Sequence, residues 1–94
     1  MSVVLATFRE MAKGKKEIKK IDEADVMKKL GARIRQLRIA KGYTSQEIFA
    51  YEHDLNRVQY SRYERGEDLR FSTLIKVIQI FDMSVEEFFS EGFE

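Results

Sequence analysis

Apolar residues recur along most of the chain at intervals of three and four, which places them on one face of an α-helix. The alternation of apolar and polar residues that would predict strands is scarce. The chain contains no proline and only five glycines, so few positions would interrupt a helix. This pattern predicts an all-α protein.

The first predicted helix covers residues 25–41 and ends at Gly42, since glycine commonly follows the last turn of a helix. Charged side chains such as Lys28 and Arg35 fall on its outer side. The apolar stripe that we expect to face the core consists of Val26, Leu30, Ile34 and Leu37.

A second helix is predicted to begin at Thr44 and to end near His53. In a capping box, the Thr44 hydroxyl accepts a hydrogen bond from the amide of Glu47, and the Glu47 side chain returns to the amide of Thr44. Asp54 follows where the chain must reverse, and aspartate tolerates the left-handed conformation better than most residues. The expected buried side consists of Ile48, Phe49 and Ala50.

The third predicted helix has Asn56 as its N-cap and runs to residue 65. Tyr60 and Tyr63, three residues apart, mark its inward face. A rotation of about 100° per residue turns the opposite side toward solvent. The residues on that side and at its edges are Arg57, Val58, Gln59, Ser61, Arg62 and Arg65.

These outward side chains suit contact with DNA. Arginine can donate two hydrogen bonds to guanine O6 and N7, glutamine can pair with adenine N6 and N7, and valine can touch the thymine methyl group. A serine hydroxyl suits a phosphate oxygen, so Ser61 is expected to bind phosphate. The predicted base-contacting residues are Arg57, Val58, Gln59 and Arg62.

Two further helices are predicted in the C-terminal third. One covers residues 72–81 and supplies mainly core residues. The other starts after Ser84, whose capping box is completed by Glu87, and ends at Gly92. The aromatic residues of this region that can be left exposed are Phe89 and Phe93, and they are the candidate residues for a dimer contact.

Length and composition indicate one small soluble domain. The 94 residues are 44% hydrophobic and include seven phenylalanines, enough for a modest core. The absence of cysteine excludes disulfides and thiolate metal sites. The apolar run at the start is too short for a signal peptide or a membrane span, so we expect a cytoplasmic protein.

The net charge of +1 conceals a segregation along the chain. Residues 1–20 carry a net +4, residues 21–25 carry −3, residues 26–66 carry +5 and residues 67–94 carry −5. The basic part would attract a polyanion, whereas the acidic C-terminal third would be repelled from phosphates. Most charge runs are merely solvated helix faces, so this segregation supports nucleic-acid binding only modestly.

Three stretches resemble a known family: LGARIRQLRIAKGYTSQEIFA, LNRVQYSRYERG and STLIKVIQIFDMSVEEFF. Together they are similar to the Cro/CI-type (XRE) helix-turn-helix domain of bacterial and phage repressors over roughly residues 28–89. The resemblance implies a five-helix, lambda-repressor-like bundle whose third helix enters the major groove of double-stranded DNA. It also implies a transcriptional regulator that binds a pseudo-palindromic operator as a homodimer, with half-sites about 34 Å apart.

The resemblance also implies roles for single residues. Arg38 and Glu64 match a pair that ties the first helix to the end of the recognition helix. Arg57, Val58 and Arg62 match positions that usually contact bases. The implied phosphate-binding residues are Ser45 or Gln46 at the start of helix two, and Arg65 and Arg70 around the loop to helix four.

The chain departs from the family at three points. The count between the caps of helices two and three is one residue more than usual, which leaves open whether Ser45 or Gln46 faces the phosphate; we favour Gln46. Asp54 stands where the family often has glycine. Tyr60 stands where it has valine or isoleucine, and so large a residue needs space and a hydrogen-bond partner.

No enzyme, cofactor or metal site is predicted. His53 is the single histidine and has no cysteine or second histidine to act with. The sequence lacks a glycine-rich phosphate loop, a nucleophile with its base and a carboxylate cluster. Because no separate effector domain is apparent, we also expect no small-molecule ligand.

The N-terminal extension and the aromatic C-terminal helix each allow more than one interpretation. Residues 1–21 precede the predicted DNA-binding domain of residues 22–94 and could add phosphate contacts, contact a partner subunit or form a loosely structured tail. The alternative function is a protein-interaction module that uses the aromatic C-terminal helix, with Phe89 and Phe93, and does not contact bases.

Overall fold

The computed structural model of the chain describes residues 20–94, which fold into five helices joined by short turns. The helices are α1 (Glu23–Ala40), α2 (Gln46–Glu52), α3 (Arg57–Glu64), α4 (Phe71–Ile80) and α5 (Val85–Phe88). No strand occurs in this part of the chain, so the predicted all-α class is confirmed. The N-terminal extension lies outside the described residues as far as residue 19.

Local sequence signals determine most of the helix ends. Asn56 caps α3 by accepting a hydrogen bond from the amide of Gln59 at 2.9 Å, as predicted. Ser84 and Glu87 form the predicted capping box at the start of α5. Asp54 adopts a left-handed φ of 63° and allows the chain to reverse between α2 and α3.

The predicted start of α2 is wrong by one residue. Ser45, not Thr44, is the N-cap, because its backbone is extended and its Oγ accepts a hydrogen bond from the amide of Ile48 at 3.1 Å. Thr44 precedes the helix and forms no capping box with Glu47. With Ser45 as the cap, the extra residue counted between the two caps disappears.

The fifth helix is shorter than predicted. It ends at Phe88, with Phe89 as its C-cap, rather than at Gly92. The Ser90 hydroxyl and amide both donate to the carbonyl of Glu87, at 2.6 and 3.1 Å. These bonds close a tight turn in place of a further helical turn.

The core contains nine apolar residues: Leu30, Ile34, Phe49, Ala50, Tyr60, Leu74, Val77, Ile78 and Phe88. Two residues expected in it lie at the surface, since Val26 is 40% exposed and Ile48 is 53% exposed. Val26 lies near the start of α1, beside the loop that contains Gly66 rather than under a helix. On α2, Phe49 and Ala50 occupy the inward side, which turns the preceding Ile48 toward solvent.

Helix α1 lies directly against the end of α3. A Cβ atom at Gly31 would be 2.6 Å from the carbonyl oxygen of Glu64 and 2.8 Å from that of Tyr63. Gly66 has a φ of +88°, and a Cβ there would be 3.2 Å from the Cα atom of Lys28. Glycine at position 31 therefore permits a backbone contact that fixes the position of α3.

Arg33 joins the short α5 to α1. Its side chain is 4% exposed, and its Nε and Nη2 atoms donate to the carbonyl oxygens of Phe88 and Glu87 at 2.7 and 3.0 Å. Its Nη1 atom donates to the Gln36 and Glu91 side chains at 3.0 and 3.3 Å. A side chain of α1 thus binds two carbonyl groups in the last turn of α5.

Candidate nucleic-acid interface

Helices α2 and α3 are packed through aromatic side chains. Tyr60 of α3 is completely buried, with its ring centroid 5.1 Å from that of Phe49 on α2, and Tyr63 is half-buried. The predicted inward direction of the two tyrosines is confirmed. The Tyr60 hydroxyl is buried and has no hydrogen-bond partner among residues 20–94. Burial, with a contribution from the neighbouring Glu64, raises its pKa and keeps the hydroxyl neutral.

A buried carboxylate connects three helices at the end of α3. The Glu64 side chain, 2% exposed, accepts hydrogen bonds from Arg38 Nε at 2.7 Å and Arg38 Nη2 at 3.1 Å. Gln46 Nε2, from the first residue of α2, donates to the same carboxylate at 2.8 Å. Arg38 Nη1 also donates to the carbonyl oxygen of Tyr43 at 2.8 Å. The start of α2 and the end of α3 are therefore both attached to α1.

The pair of Arg38 and Glu64 is charged despite its burial. Burial alone would raise the pKa of Glu64, but the hydrogen bonds from Arg38 and Gln46 lower it below its ordinary value. The hydrogen bond to Glu64 raises the pKa of Arg38. Each charge thus holds its partner in the ionised form.

Three residues expected to contact bases are exposed together on the outer side of α3. The side chains of Arg57 and Arg62 are 67% and 54% exposed, and Val58 is 56% exposed. Gln59 is also exposed, at the edge of this side. The rotation that buries Tyr60 therefore leaves these residues open to solvent.

Two shallow depressions flank the outer side of α3. The first depression is lined by Gln46, Glu47, Arg57, Val58, Ser61 and Arg65. The second depression is lined by Gln59, Arg62, Tyr63, Glu67, Asp68, Leu69, Arg70 and Thr73. Apart from Ser45, the predicted base-contacting and phosphate-binding residues are thus divided between two neighbouring surfaces, with α3 between them.

Ser45 and Gln46 occupy different places relative to this surface. The Ser45 hydroxyl serves as the cap of α2, whereas Gln46 both binds Glu64 and lines the first depression beside Arg57. Each side chain keeps one further donor, the hydroxyl hydrogen of Ser45 and the second amide hydrogen of Gln46. Of the two residues, Gln46 is therefore the one that lies beside the outer side of α3.

The sequence analysis missed two glutamates that lie beside the arginines of α3. Glu47 Oε2 is 3.2 Å from Arg57 Nη1. Glu67 has one carboxylate oxygen 3.3 Å from Arg65 Nη2 and the other 3.8 Å from Arg62 Nε. The sequence pattern around Glu47 predicts only a capping role for it. Acidic residues within or next to an otherwise basic segment were the available signal.

The two aromatic dimer candidates differ in exposure. Phe89, the C-cap of α5, is 40% exposed, whereas Phe93 is half-buried and packs against the core. Their ring centroids are 4.9 Å apart. Val85 on α5 is 41% exposed, so Phe89 and Val85 provide the accessible apolar surface here.

Two other kinds of site are missing from residues 20–94. None of their helices has the length and apolar character needed to cross a membrane. Nor do these residues bring together three histidine, cysteine, aspartate or glutamate side chains that could hold a metal ion.

Helices α2 and α3 are joined by a short turn, and the outer side of α3 is exposed and rich in arginine. These features define a DNA-binding protein of the helix-turn-helix class. A helix-turn-helix family model matches residues 34–88, more than half of the chain. The chain therefore belongs to this family, in its Cro/CI-type (XRE) branch, and is a DNA-binding transcription regulator in that general sense. A comparison with curated proteins and another with solved structures gave no match.

Proposed function

We propose that the protein is a sequence-specific repressor that inserts α3 into the major groove of double-stranded DNA. The observation that supports this most is the joint exposure of Arg57, Val58 and Arg62 on a helix whose tyrosines face the core. The major groove is about 12 Å wide and admits one α-helix. A protein that occupies promoter DNA in this way can block transcription without any other activity.

The proposed contacts follow from the two depressions. Side chains on the outer side of α3 contact base edges, and donors on either flank bind the phosphates that position the helix. The base-contacting set is Arg57, Val58, Gln59 and Arg62. The phosphate-binding set is Gln46 or Ser45, together with Ser61, Arg65 and Arg70.

Selection of duplexes from a random pool tests the proposal directly. The expected product is a recurring sequence with approximate two-fold symmetry, because a symmetric dimer would place two copies of α3 about one helical turn apart. Failure to recover any preferred duplex would contradict sequence-specific binding and favour a protein-interaction module.

Arg62→Ala should weaken binding to the selected duplex by about 1 to 3 kcal/mol and relax the base preference at one position of each half-site. The reason is the loss of a bidentate contact with one base. Fluorescence anisotropy with the selected duplex and its single-base variants would measure both effects.

Lys41→Ala is the control for loss of a positive charge. Lys41 follows α1, and its Nζ atom lies 4.0 Å from a carboxylate oxygen of Asp82, a residue of the acidic C-terminal third. The Lys41→Ala substitution should change binding to all duplexes only slightly. Equal effects of the two substitutions, or an Arg62→Ala variant with unchanged base preference, would contradict the assignment of Arg62.

We also infer a homodimer formed through the exposed apolar surface of α5. Phe89→Ser should raise the dissociation constant of the dimer at least about tenfold, since burial of a phenylalanine side chain contributes about 1.5 to 3 kcal/mol. Sedimentation equilibrium would measure the change. Phe71→Ser is the matched control, because Phe71 is 62% exposed on α4. An unaltered dimer in the Phe89 variant would exclude this interface.

A further inference from the structure

Each arginine on the outer side of α3 is paired with a glutamate from a neighbouring segment. Arg57 is paired with Glu47 of α2, while Arg62 and Arg65 share Glu67 of the loop that follows α3. All five side chains are more than half exposed. Each of these three arginines therefore has a carboxylate within 4.0 Å.

We propose that Glu47 and Glu67 determine specificity by holding the two base-contacting arginines, Arg57 and Arg62, away from phosphates and in place for base contacts. The inference rests on the proposed function, because it assigns a role at the same surface. Glu47 is the stronger case, since its carboxylate receives a hydrogen bond from Arg57 Nη1 at 3.2 Å. The two glutamates are positioning residues that act through the arginines.

The geometry of the guanidinium group makes this division possible. Arginine carries five N–H donors in a rigid planar fork. In the pair with Glu47, the structure uses one nitrogen, Nη1 of Arg57. The remaining donors are available for guanine O6 and N7, and a side chain already held in one orientation loses less conformational entropy when it binds.

The same carboxylate opposes contact with phosphates. A phosphate approaching Arg57 must either displace Glu47 or lie close to its negative charge, and like charges at such a distance repel. Glu67 presents the same obstacle to a phosphate that approaches Arg62, and the Glu67 amide is fixed by a hydrogen bond to the Arg62 carbonyl at 3.0 Å. Because phosphate contacts supply essentially all of the affinity for unrelated DNA, the repulsion weakens non-specific binding.

Exposed ion pairs are weak enough to be exchanged on binding. They typically change an equilibrium by about 1.5- to 5-fold. Glu47→Gln should therefore increase affinity for a shuffled duplex of the same length by about that factor, without a matching increase for the selected duplex. The ratio of the two affinities should fall by about 1.5- to 5-fold, and Glu67→Gln should have the same kind of effect.

Salt dependence provides a second readout that a purely structural role would not change. If Glu47→Gln frees Arg57 to neutralise one more phosphate, the log–log slope of non-specific affinity against salt should steepen by about 0.9. Glu86→Gln is the matched control, because it removes the same charge from an exposed position on α5. The control should leave the affinity ratio unchanged.

A double-mutant cycle shows whether Glu47 acts through Arg57. In an Arg57→Ala background, Glu47→Gln should no longer change the affinity ratio. A persistent effect in that background, an equal rise in affinity for both duplexes, or behaviour identical to Glu86→Gln would overturn the inference.

These outcomes are separable from failure of the proposed function. If the protein selects a duplex and Arg62→Ala weakens binding to it, an unchanged affinity ratio in the Glu47→Gln variant would exclude the role of Glu47. The proposed function would be retained. A protein that selects no duplex would exclude both.

Discussion

Replacing Arg38 with methionine should lower the free energy of unfolding by about 3 to 5 kcal/mol. The substitution leaves the Glu64 carboxylate buried without its guanidinium partner, with the amide of Gln46 as its remaining hydrogen-bond donor. It also removes the donor to the Tyr43 carbonyl oxygen. Urea unfolding followed by circular dichroism would measure the loss.

The double variant Arg38→Met/Glu64→Met is the control for this prediction. Since replacement of a whole buried ion pair by apolar residues is often nearly neutral, the double variant should recover most of the stability that the single variant loses. A loss below about 1 kcal/mol in the single variant would mean that solvent reaches the Glu64 carboxylate after the substitution.

The same pair should shape the stability of the domain in acid. The folded-state pKa of Glu64 lies below its ordinary value of 4.5, so its stabilising contribution is complete above that pH. The contribution is lost as the pH falls through the lowered folded-state value. The free energy of unfolding of the protein, relative to that of the Arg38→Met/Glu64→Met variant, should therefore fall at acid pH and stay constant near neutrality.

Gly31→Ala should destabilise the domain by about 3 kcal/mol, at the upper end of the range for overpacking. The added methyl carbon would lie 2.6 and 2.8 Å from two carbonyl oxygens of the α3 backbone, which cannot move aside as a side chain can. Alanine is favoured over glycine in a helix by about 1 kcal/mol, and this gain is too small to offset the clash. Thermal and urea unfolding would measure the effect.

Ala32→Gly separates helix propensity from steric exclusion. Ala32 is exposed on the same helix, so this change should cost only the propensity difference of about 1 kcal/mol. If Gly31→Ala were neutral or stabilising, the close contact between α1 and α3 would be disproved.

The helix boundaries that were predicted correctly depend on short-range chemistry. Asn56, Asp54 and the pair of Ser84 and Glu87 act on backbone groups within three residues of themselves, so their roles can be inferred from the sequence. The start of α2 was misplaced because two adjacent residues can both cap a helix. Which of the two residues becomes the cap depends on the helical register that buries Phe49 and Ala50, and that register is a property of the whole fold.

Tertiary contacts account for the residues that the sequence did not reveal. Gly31 marks a crossing of two helices, and the buried Arg33 binds carbonyl groups more than 50 residues away. A glycine inside a helical pattern is a visible signal, but nothing local identifies its neighbour. An arginine in a helix is ordinarily assigned to the surface, and only the end of α5 gives Arg33 a reason to be buried.

The candidate interface was partly accessible from the sequence. Two inward tyrosines and the helical rotation were sufficient to place Arg57, Val58 and Arg62 outside. The pairing of the arginines with Glu47 and Glu67 could not be predicted from the sequence, because it depends on how α2 and the loop after α3 approach α3.

The attachment of Gln46 and Arg38 to the single Glu64 carboxylate has a consequence for how a duplex would be fitted. With α1, the start of α2 and the end of α3 joined at one carboxylate, α2 and α3, which we propose lie at the groove, have little freedom to tilt independently. The duplex must then adjust to the protein. The free energy needed to bend it or to change its groove width depends on its base composition. Base pairs that the protein never touches would thereby influence which operator it prefers.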